Sequence, residues 1–245
     1  MISVVKVFNT LRDLCNEDQR GFITPEVFNS FAPLVQENVY EKMKDDLLNT
    51  VRLRKSNMDL GGVDSRYRDM KEVMSNYIRE ESIEPLGDAS LFQKPHDLDK
   101  IISIHVDADK DDTRSSDSSL QCDIVYDLEN TSRLIRSNLS SPTKAFPLAL
   151  IHDAIEVLPD VASSVSVMYY RRPTSVKGSS EIDRNSFPNY TVVSSGFGVD
   201  VNLTRNFDLP REYYDEVILE FAEMMGVRLR DPMIAGYSNQ EQAQS

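Results

Sequence analysis

Residues 146–160 read FPLALIHDAIEVLPD, and residues 165–173 read VSVMYYRRP. Apolar residues recur at every second position in three short runs, the pattern of strands with one buried face. The positions are Leu148 and Leu150, then Ile155 and Val157, then Val165, Val167 and Tyr169. His152-Asp153 is the expected turn between the first two runs. The stretch therefore predicts a β-hairpin followed by a further strand, a paired surface rather than a reaction centre.

Working outward toward the N-terminus, the sequence predicts two amphipathic helices. After Ser3, a candidate N-cap, apolar residues recur at helical spacing at Val4, Val7, Phe8, Leu11, Leu14 and Cys15. Thr24-Pro25 supplies an N-cap and a first-turn proline for a second helix. Pro33 should kink or restart that helix, because proline removes a backbone donor. The helical period then continues to about Arg54.

The middle of the chain shows weaker patterns. Gly61-Gly62 interrupts the helical period, and a weaker helix is predicted over residues 67–78. Alternation predicts strands over 100–106 and 120–126, and a short helix over 127–138. Between the two strands, Asp107 to Ser119 predicts an exposed hairpin loop. Thr174 to Ser186 is rich in serine and predicts a linking segment.

The C-terminal region predicts one more helix. Asp208-Leu209-Pro210 should cap it and Gly226 should end it. Its apolar stripe comprises Tyr213, Tyr214, Val217, Ile218, Phe221 and Met224 or Met225.

Helices, then strands, then a helix form the order typical of an α+β fold. We expect N-terminal and C-terminal helices to form a helical layer, with a central antiparallel β-sheet or small sandwich. The expected regions are helical 1–90, β-rich 91–205, a C-terminal helical region 206–237 packed on the N-terminal helices, and a disordered tail 238–245.

Composition narrows the function classes. Forty acidic residues against 27 basic ones give a net charge of −13, which opposes attraction to duplex DNA and to anionic membranes. No segment approaches the roughly 20 apolar residues of a membrane span. Cys15 and Cys122 lack metal-binding spacing, and two thiols are typical of a reducing compartment. We therefore expect a soluble protein made in the cytoplasm.

The candidate chemical sites are weak. Asp107, Asp109 and Asp111 begin like a calcium-binding loop, but Asp112 stands where the turn needs glycine and Ser118 where a glutamate belongs. Histidines His96, His105 and His152 have no nucleophile motif nearby, and Ser195 to Gly198 lacks the pattern of a phosphate-binding loop. The sequence thus predicts no catalytic residue, no cofactor site and no metal site.

Tyr169, Tyr170, Arg171 and Arg172 form the most interesting polar cluster. Tyrosine and arginine are the residue types that anchor protein interfaces, so these four are predicted to contact another subunit. The alternative is a strand end whose arginines pair with nearby acidic residues of the same chain.

Three segments together resemble a known group of proteins. They are RGFITPEVFN at 20–29, the hairpin stretch from Pro147 to Pro173, and the Leu209-Pro210 helix start together with GVRLRDP at 226–232. They are similar to virion proteins of tailed bacteriophages, in particular the neck or portal-vertex ring proteins of crAss-like phages. The resemblance covers about half of the chain.

The resemblance implies a non-enzymatic virion subunit of the head-to-tail connector. It implies a closed, dodecameric homo-oligomer between portal and tail, with the portal and other neck or tail proteins as partners and with DNA passing through the lumen during ejection. Such a ring needs a heterologous contact, in which one face meets a different face of the next copy. Two alternatives stay open: a cytoplasmic metal-dependent enzyme that uses the acidic loop, and a monomeric adaptor or binding module.

Overall fold

The computed structural model describes residues 1–17, 23–55, 61–87, 90–107, 119–137, 141–159, 164–177, 181–183, 186–193 and 198–225. The chain is α+β and divides into two compact units. The first unit comprises Met1–Met74 and Pro173–Ser245, and the second comprises Ser75–Arg172.

The helices are α1 (Val4–Glu17), α2 (Pro25–Lys55), α3 (Gly61–Ser75), α4 (Leu128–Arg136) and α5 (Tyr214–Met224), with a 3₁₀ turn at Arg211–Tyr213 before α5. The strands are β1 (Ile78–Ile83), β2 (Leu91–Phe92), β3 (Leu98–Asp107), β4 (Ser119–Gln121), β5 (Asp123–Val125), β6 (Leu148–Ile151), β7 (Ile155–Leu158), β8 (Val165–Arg171), β9 (Ser175–Lys177), β10 (Glu181–Asp183) and β11 (Arg205–Phe207).

Aromatic side chains join helices α1, α2 and α5 of the first unit. The ring of Phe28 on α2 stacks on Phe221 of α5 with centroids 4.8 Å apart, and it meets Phe8 of α1 edge-on at 5.4 Å. All three side chains are buried. The C-terminal helix therefore packs on both N-terminal helices, and burial of this apolar area is the main stabilising term in the unit.

Polar side chains fix the ends of the first two helices. The Thr24 hydroxyl accepts a hydrogen bond from Val27 N, as predicted for the N-cap of α2, and the Asn206 side chain accepts one from Val4 N at the start of α1. A three-stranded antiparallel sheet in the order β10-β9-β11 completes the first unit.

Two four-stranded sheets build the second unit. Their orders are β1-β8-β3-β4 and β2-β7-β6-β5, and every pair is antiparallel except β5 with β6. Both sheets contribute to one apolar core that includes Ile104, Val157 and Val167, all fully buried. The predicted β6-β7 hairpin is confirmed, with His152 N bonded to Ala154 O across the turn.

Several helix predictions were wrong in detail. Helix α2 continues through Pro33, so the predicted alternative of a restart is wrong, while a kink stays a prediction. The turns on both sides of this proline bury Phe28, Ala32 and Val35, so packing outweighs the roughly 3 kcal/mol cost of an interior proline. Helix α3 begins at Gly61, where a break was predicted. The 3₁₀ turn has Pro210 at its N-cap, within the predicted start at 208–210, but the N-cap residues of this turn and of α5 make no side-chain capping hydrogen bond.

Strand predictions failed where tertiary pairing decides. The segment Ile78–Ile83 is strand β1, paired along its length with β8, although its first residue, Ile78, was predicted to be the last residue of a helix. The strand predicted over 120–126 is divided at Cys122 between two sheets, and Cys122 N donates to Ile104 O at the division. The predicted link at 174–186 contains strands β9 and β10.

The unit boundaries fall elsewhere than the predicted regions 1–90, 91–205 and 206–237. Residues from Ser75 onward join the second unit because β1 pairs with β8. The chain after Pro173 returns to the first unit because β9 pairs with β11. The predicted loop interior at 108–118, the helix end at Gly226 and the tail at 238–245 lie outside the described residues.

Candidate subunit-contact surfaces

Tyr169 lies inside the second unit rather than at a surface. Strand β8 alternates strictly, so its odd-numbered residues point into the protein, and Tyr169 is fully buried. Its hydroxyl lies 2.8 Å from Asp97 Oδ1 and 3.0 Å from Glu81 Oε2. Burial, reinforced by these two hydrogen bonds, raises the pKa of Tyr169 above its ordinary value. Arg79 completes the cluster with a 3.1 Å ion pair to Asp97.

Arg171 follows the same alternation and is also buried. Its guanidinium lies over the Tyr77 ring, 5.3 Å from the ring centroid, and its backbone N donates to Tyr77 O. Arg172 is exposed and Tyr170 is half-buried. The structure therefore gives Tyr169 and Arg171 contacts within their own unit, and a partner contact through Tyr170 and Arg172 stays a prediction.

An open groove runs beside the edge strand of the second sheet. Its volume is about 490 Å³. It is lined by Ile124, Val125, Tyr126, Asp127, Arg133 and Leu134, and is called here the α4 groove. Tyr126 is 65% exposed, so an aromatic ring stands at the groove with most of its surface in solvent.

Hydrogen bonds hold the walls of the α4 groove. The Asp127 side chain caps α4 by accepting from Glu129 N at 2.9 Å, and the Thr131 hydroxyl donates to Asp127 O. Strand β5 pairs in parallel with β6 on the other wall. Arg133 forms a 3.0 Å ion pair with Glu129 on the exposed face of α4. The groove is therefore built on ordered backbone.

A second exposed surface belongs to the first unit and comprises residues 200–205. Asp200 Oδ1 accepts hydrogen bonds from Asn202 N at 3.0 Å and Leu203 N at 3.3 Å, which closes an Asx turn. Thr204 N donates to Asp200 O, and Arg205 Nη1 donates to Asn202 O. These four hydrogen bonds lie within the 200–205 turn, and further backbone bonds join it to Asn189 and Thr191.

The 200–205 turn presents aliphatic side chains to solvent. Val201 is 74% exposed and Leu203 is 55% exposed. Just before the turn, Gly198 has φ of +103°, a conformation that favours glycine, and its carbonyl accepts from Val193 N. Together these two side chains form a small exposed aliphatic surface on the turn.

In the described part of the chain, the acidic residues and histidines that the sequence offered as candidates do not come together in one site. Among the described residues, no group of three or more histidine, cysteine, aspartate or glutamate side chains could hold a metal ion. His105 Nε2 lies 3.1 Å from the Ser103 hydroxyl within β3. Asp109, Asp111 and residues 195–197 lie outside the described residues.

Both cysteines are buried thiols. Burial, together with the neighbouring Asp123 carboxylate, raises the pKa of Cys122 to about 12. Its thiol is therefore protonated and unreactive at neutral pH.

Sequence reasoning missed both the groove and the turn. The spacing of Asp200, Asn202 and Thr204 is a signal for a local turn, but it does not show that Val201 and Leu203 are exposed. The α4 groove has no sequence signal, because it forms only when β5 joins the edge of a sheet.

Models of known protein families and curated protein sequences give no match to this chain. None of the helices in the described ranges is long and apolar enough to cross a membrane.

Proposed function

We propose that this chain is a non-enzymatic structural subunit of a tailed-phage head-to-tail connector. In this proposal, copies of the chain form a closed dodecameric ring between portal and tail, and DNA passes through the lumen without specific binding. The resemblance of segments 20–29, 147–173, 209–210 and 226–232 to neck and portal-vertex ring proteins supports the proposal. Synthesis in the host cytoplasm and residence in the virion neck belong to the same proposal.

The observation that carries the proposal is that the chain has two separate exposed surfaces with apolar side chains, the α4 groove and the 200–205 turn. The α4 groove and the 200–205 turn use different residues in different units. Two different contact surfaces on one chain are what a heterologous interface requires, and heterologous interfaces generate rings when the rotation closes. The exposed Tyr126 also matches the enrichment of tyrosine at interface cores.

The net charge of −13 suits a DNA conduit. Like charge on the lumen wall and on the phosphates prevents adhesion, because counterion release, the main source of non-specific affinity, requires cationic side chains. A conduit must let DNA move, so weak interaction is an advantage there.

Quantitative mass spectrometry of purified particles tests this function. The ring proposal expects the chain in particles of the phage that encodes it, in a ratio to portal protein that stays fixed across preparations. A cytoplasmic enzyme would be absent from purified particles, and an adaptor would be present in variable or substoichiometric amounts. Either of these results would contradict the proposal.

A further inference from the structure

We propose that the second unit is an inserted domain that opens independently of the first unit, and that Arg171 and Tyr77 clamp the two ends of this domain together. The inference goes beyond the connector function and does not depend on it, because it concerns a single chain in solution. It also gives Arg171 a role inside its own chain, where the sequence had suggested a contact with another subunit.

The second unit interrupts the first unit along the chain. It is one continuous stretch, Ser75–Arg172, whereas the first unit is built from the two segments that flank this stretch. Polar contacts join the two flanking segments. Asn29 Nδ2 donates to Tyr190 O at 3.0 Å, and Gln36 Oε1 accepts from Asp208 N at 2.9 Å. The chain therefore leaves the first unit, forms the second, and returns to complete the first.

The apolar core of the second unit comes from the inserted stretch itself. Every described residue of this core, including the partly buried residues packed against it, lies between Ile83 and Tyr169. The stretch is about 100 residues long, a typical size for a domain with its own core. A segment that supplies its own core can fold and open as one cooperative unit.

The two ends of the second unit lie side by side. Its first strand, β1, and its last strand, β8, are neighbours in one sheet, with Ile78 directly opposite Tyr170. Directly opposed residues of antiparallel strands have Cα atoms about 5 Å apart. The chain therefore enters and leaves this unit at adjacent positions, which is the arrangement that permits one domain to be inserted in another.

The clamp lies where these two ends meet. Arg171 N donates to Tyr77 O at 2.8 Å, one residue before β1 begins, and the Arg171 guanidinium lies over the Tyr77 ring. Tyr77 is 2% exposed and Arg171 is 7% exposed, so water competes little with this cation–π contact. A second bond, from Arg172 N to Asp97 O at 2.7 Å, fixes the end of β8 to the segment before β3.

The clamp explains how the two units can open separately. Strand ends fray first in a sheet, and fraying of β1 from β8 would pass a disturbance of either flanking segment into the second unit. A buried contact at the last paired residues opposes this fraying. Local opening of the first unit should therefore stop at Tyr77 on one side and at Arg171 on the other.

Hydrogen–deuterium exchange of the full chain, resolved by peptide mass spectrometry, tests the independence of the units. Phe221→Ala removes a fully buried ring from the first unit, and Val167→Ala shortens a fully buried side chain in the second. We expect Phe221→Ala to accelerate exchange in α1, α2 and α5 by about fivefold or more, and to leave β3 and β8 unchanged. Val167→Ala should do the reverse.

The result stays decisive if a variant loses the fold of its own unit. Complete loss of protection in one unit, with parental exchange in the other, supports the inserted domain in the same way. Acceleration in both units by either variant overturns it, and so does an unchanged unit that carries the substitution.

The same measurement tests the clamp with a matched pair of arginines. Arg171→Ala should accelerate exchange by about fivefold or more in peptides that contain residues 77–79 or 169–171, with β4 and the first unit unchanged. Arg172→Ala, at the exposed neighbouring residue, should leave these peptides as in the parent. Tyr77→Leu, which keeps an apolar side chain without the aromatic face, should reproduce the local effect of Arg171→Ala. Equal exchange in the two arginine variants, or uniform acceleration throughout the second unit in both Arg171→Ala and Tyr77→Leu, overturns the clamp.

Discussion

Replacing Phe221 with alanine tests the packing of the first unit. Phe221 is fully buried, its ring stacks on Phe28 at 4.8 Å with an interplanar angle of 6°, and it meets Phe207 at 6.2 Å. Removing a buried phenylalanine costs about 3–5 kcal/mol through lost transfer energy and the cavity left behind. The lost ring pairs place this site toward the upper end of that range, since each is worth about 0.5–1.5 kcal/mol beyond area burial.

The assay is urea unfolding followed by far-ultraviolet circular dichroism. Most helical residues lie in the first unit, so the helical signal reports its unfolding, and the chain has no tryptophan for a fluorescence assay. Phe187→Ala is the matched control, because Phe187 is 63% exposed and its removal should change stability by less than about 0.5 kcal/mol. A loss below about 1 kcal/mol for Phe221→Ala, or equal losses for both variants, would refute the proposed packing.

Three further predictions concern ionisable groups and the acidic loop. Tyr169→Phe should reduce the loss of stability at alkaline pH. Because the pKa of Tyr169 is raised in the folded state, the neutral hydroxyl stabilises the fold fully below pH 10.0, the unfolded pKa, and this stabilisation is lost as the pH rises above 10.0. Glu220→Gln should make the stability of the fold less sensitive to acid. Burial opposes ionisation of Glu220, but hydrogen bonds from Lys42 and Asn38 keep its pKa low. The ionised carboxylate therefore stabilises the fold fully above pH 4.5, and this stabilisation is lost as the pH falls below 4.5. Joining Asp107 to Ser119 through a short glycine turn should leave the unfolding midpoint unchanged, and calcium should not raise the melting temperature of the parent.

Each of these predictions has its own control and contradicting result. Thermal unfolding across pH compares Tyr169→Phe with Tyr126→Phe, whose exposed ring should not alter the profile; identical alkaline slopes for Tyr169→Phe and the parent count against the buried cluster. For Glu220→Gln, the comparison is Glu223→Gln on the exposed side of α5, and equal acid midpoints contradict the assigned role. A calcium-dependent rise in melting temperature that disappears with the loop would revive the metal-site alternative.

The hairpin β6-β7 could be predicted from sequence because its information is local. Alternation marks the buried faces, and His152-Asp153 marks the turn. Helices α1 and α2 were predictable for the same reason, since each has an apolar face that recurs every three or four residues. Thr24 also caps α2 as predicted, whereas the side chain that bonds the first turn of α1 is the distant Asn206 rather than the predicted Ser3.

Other elements depend on partners far away in sequence. Strand β1 reads IREESI, with three charges in six residues, and becomes a strand by pairing with β8 at the edge of the sheet. Cys122 divides two strands because its backbone bonds to Ile104 on one side while Asp123 begins the pairing with β6. Neither pairing can be predicted from the local sequence.

The candidate sites also divide into features that the sequence could predict and features that only the structure shows. The YYRR cluster stands out by residue type, but the alternation of β8 places Tyr169 and Arg171 inside, a consequence that the predicted strand already contained. The α4 groove and the exposure of Leu203 require the assembled units, so they could be found only in the structure.

A reconstruction of the portal vertex in purified particles tests the connector account most directly. Helix α2, with 31 residues, is about 46 Å long and should be visible as a rod even at modest resolution. The account predicts a ring between portal and tail in which each of twelve repeats fits the α1, α2 and α5 helical layer. A vertex whose every ring is filled by other chains, with no density for these helices, would contradict it.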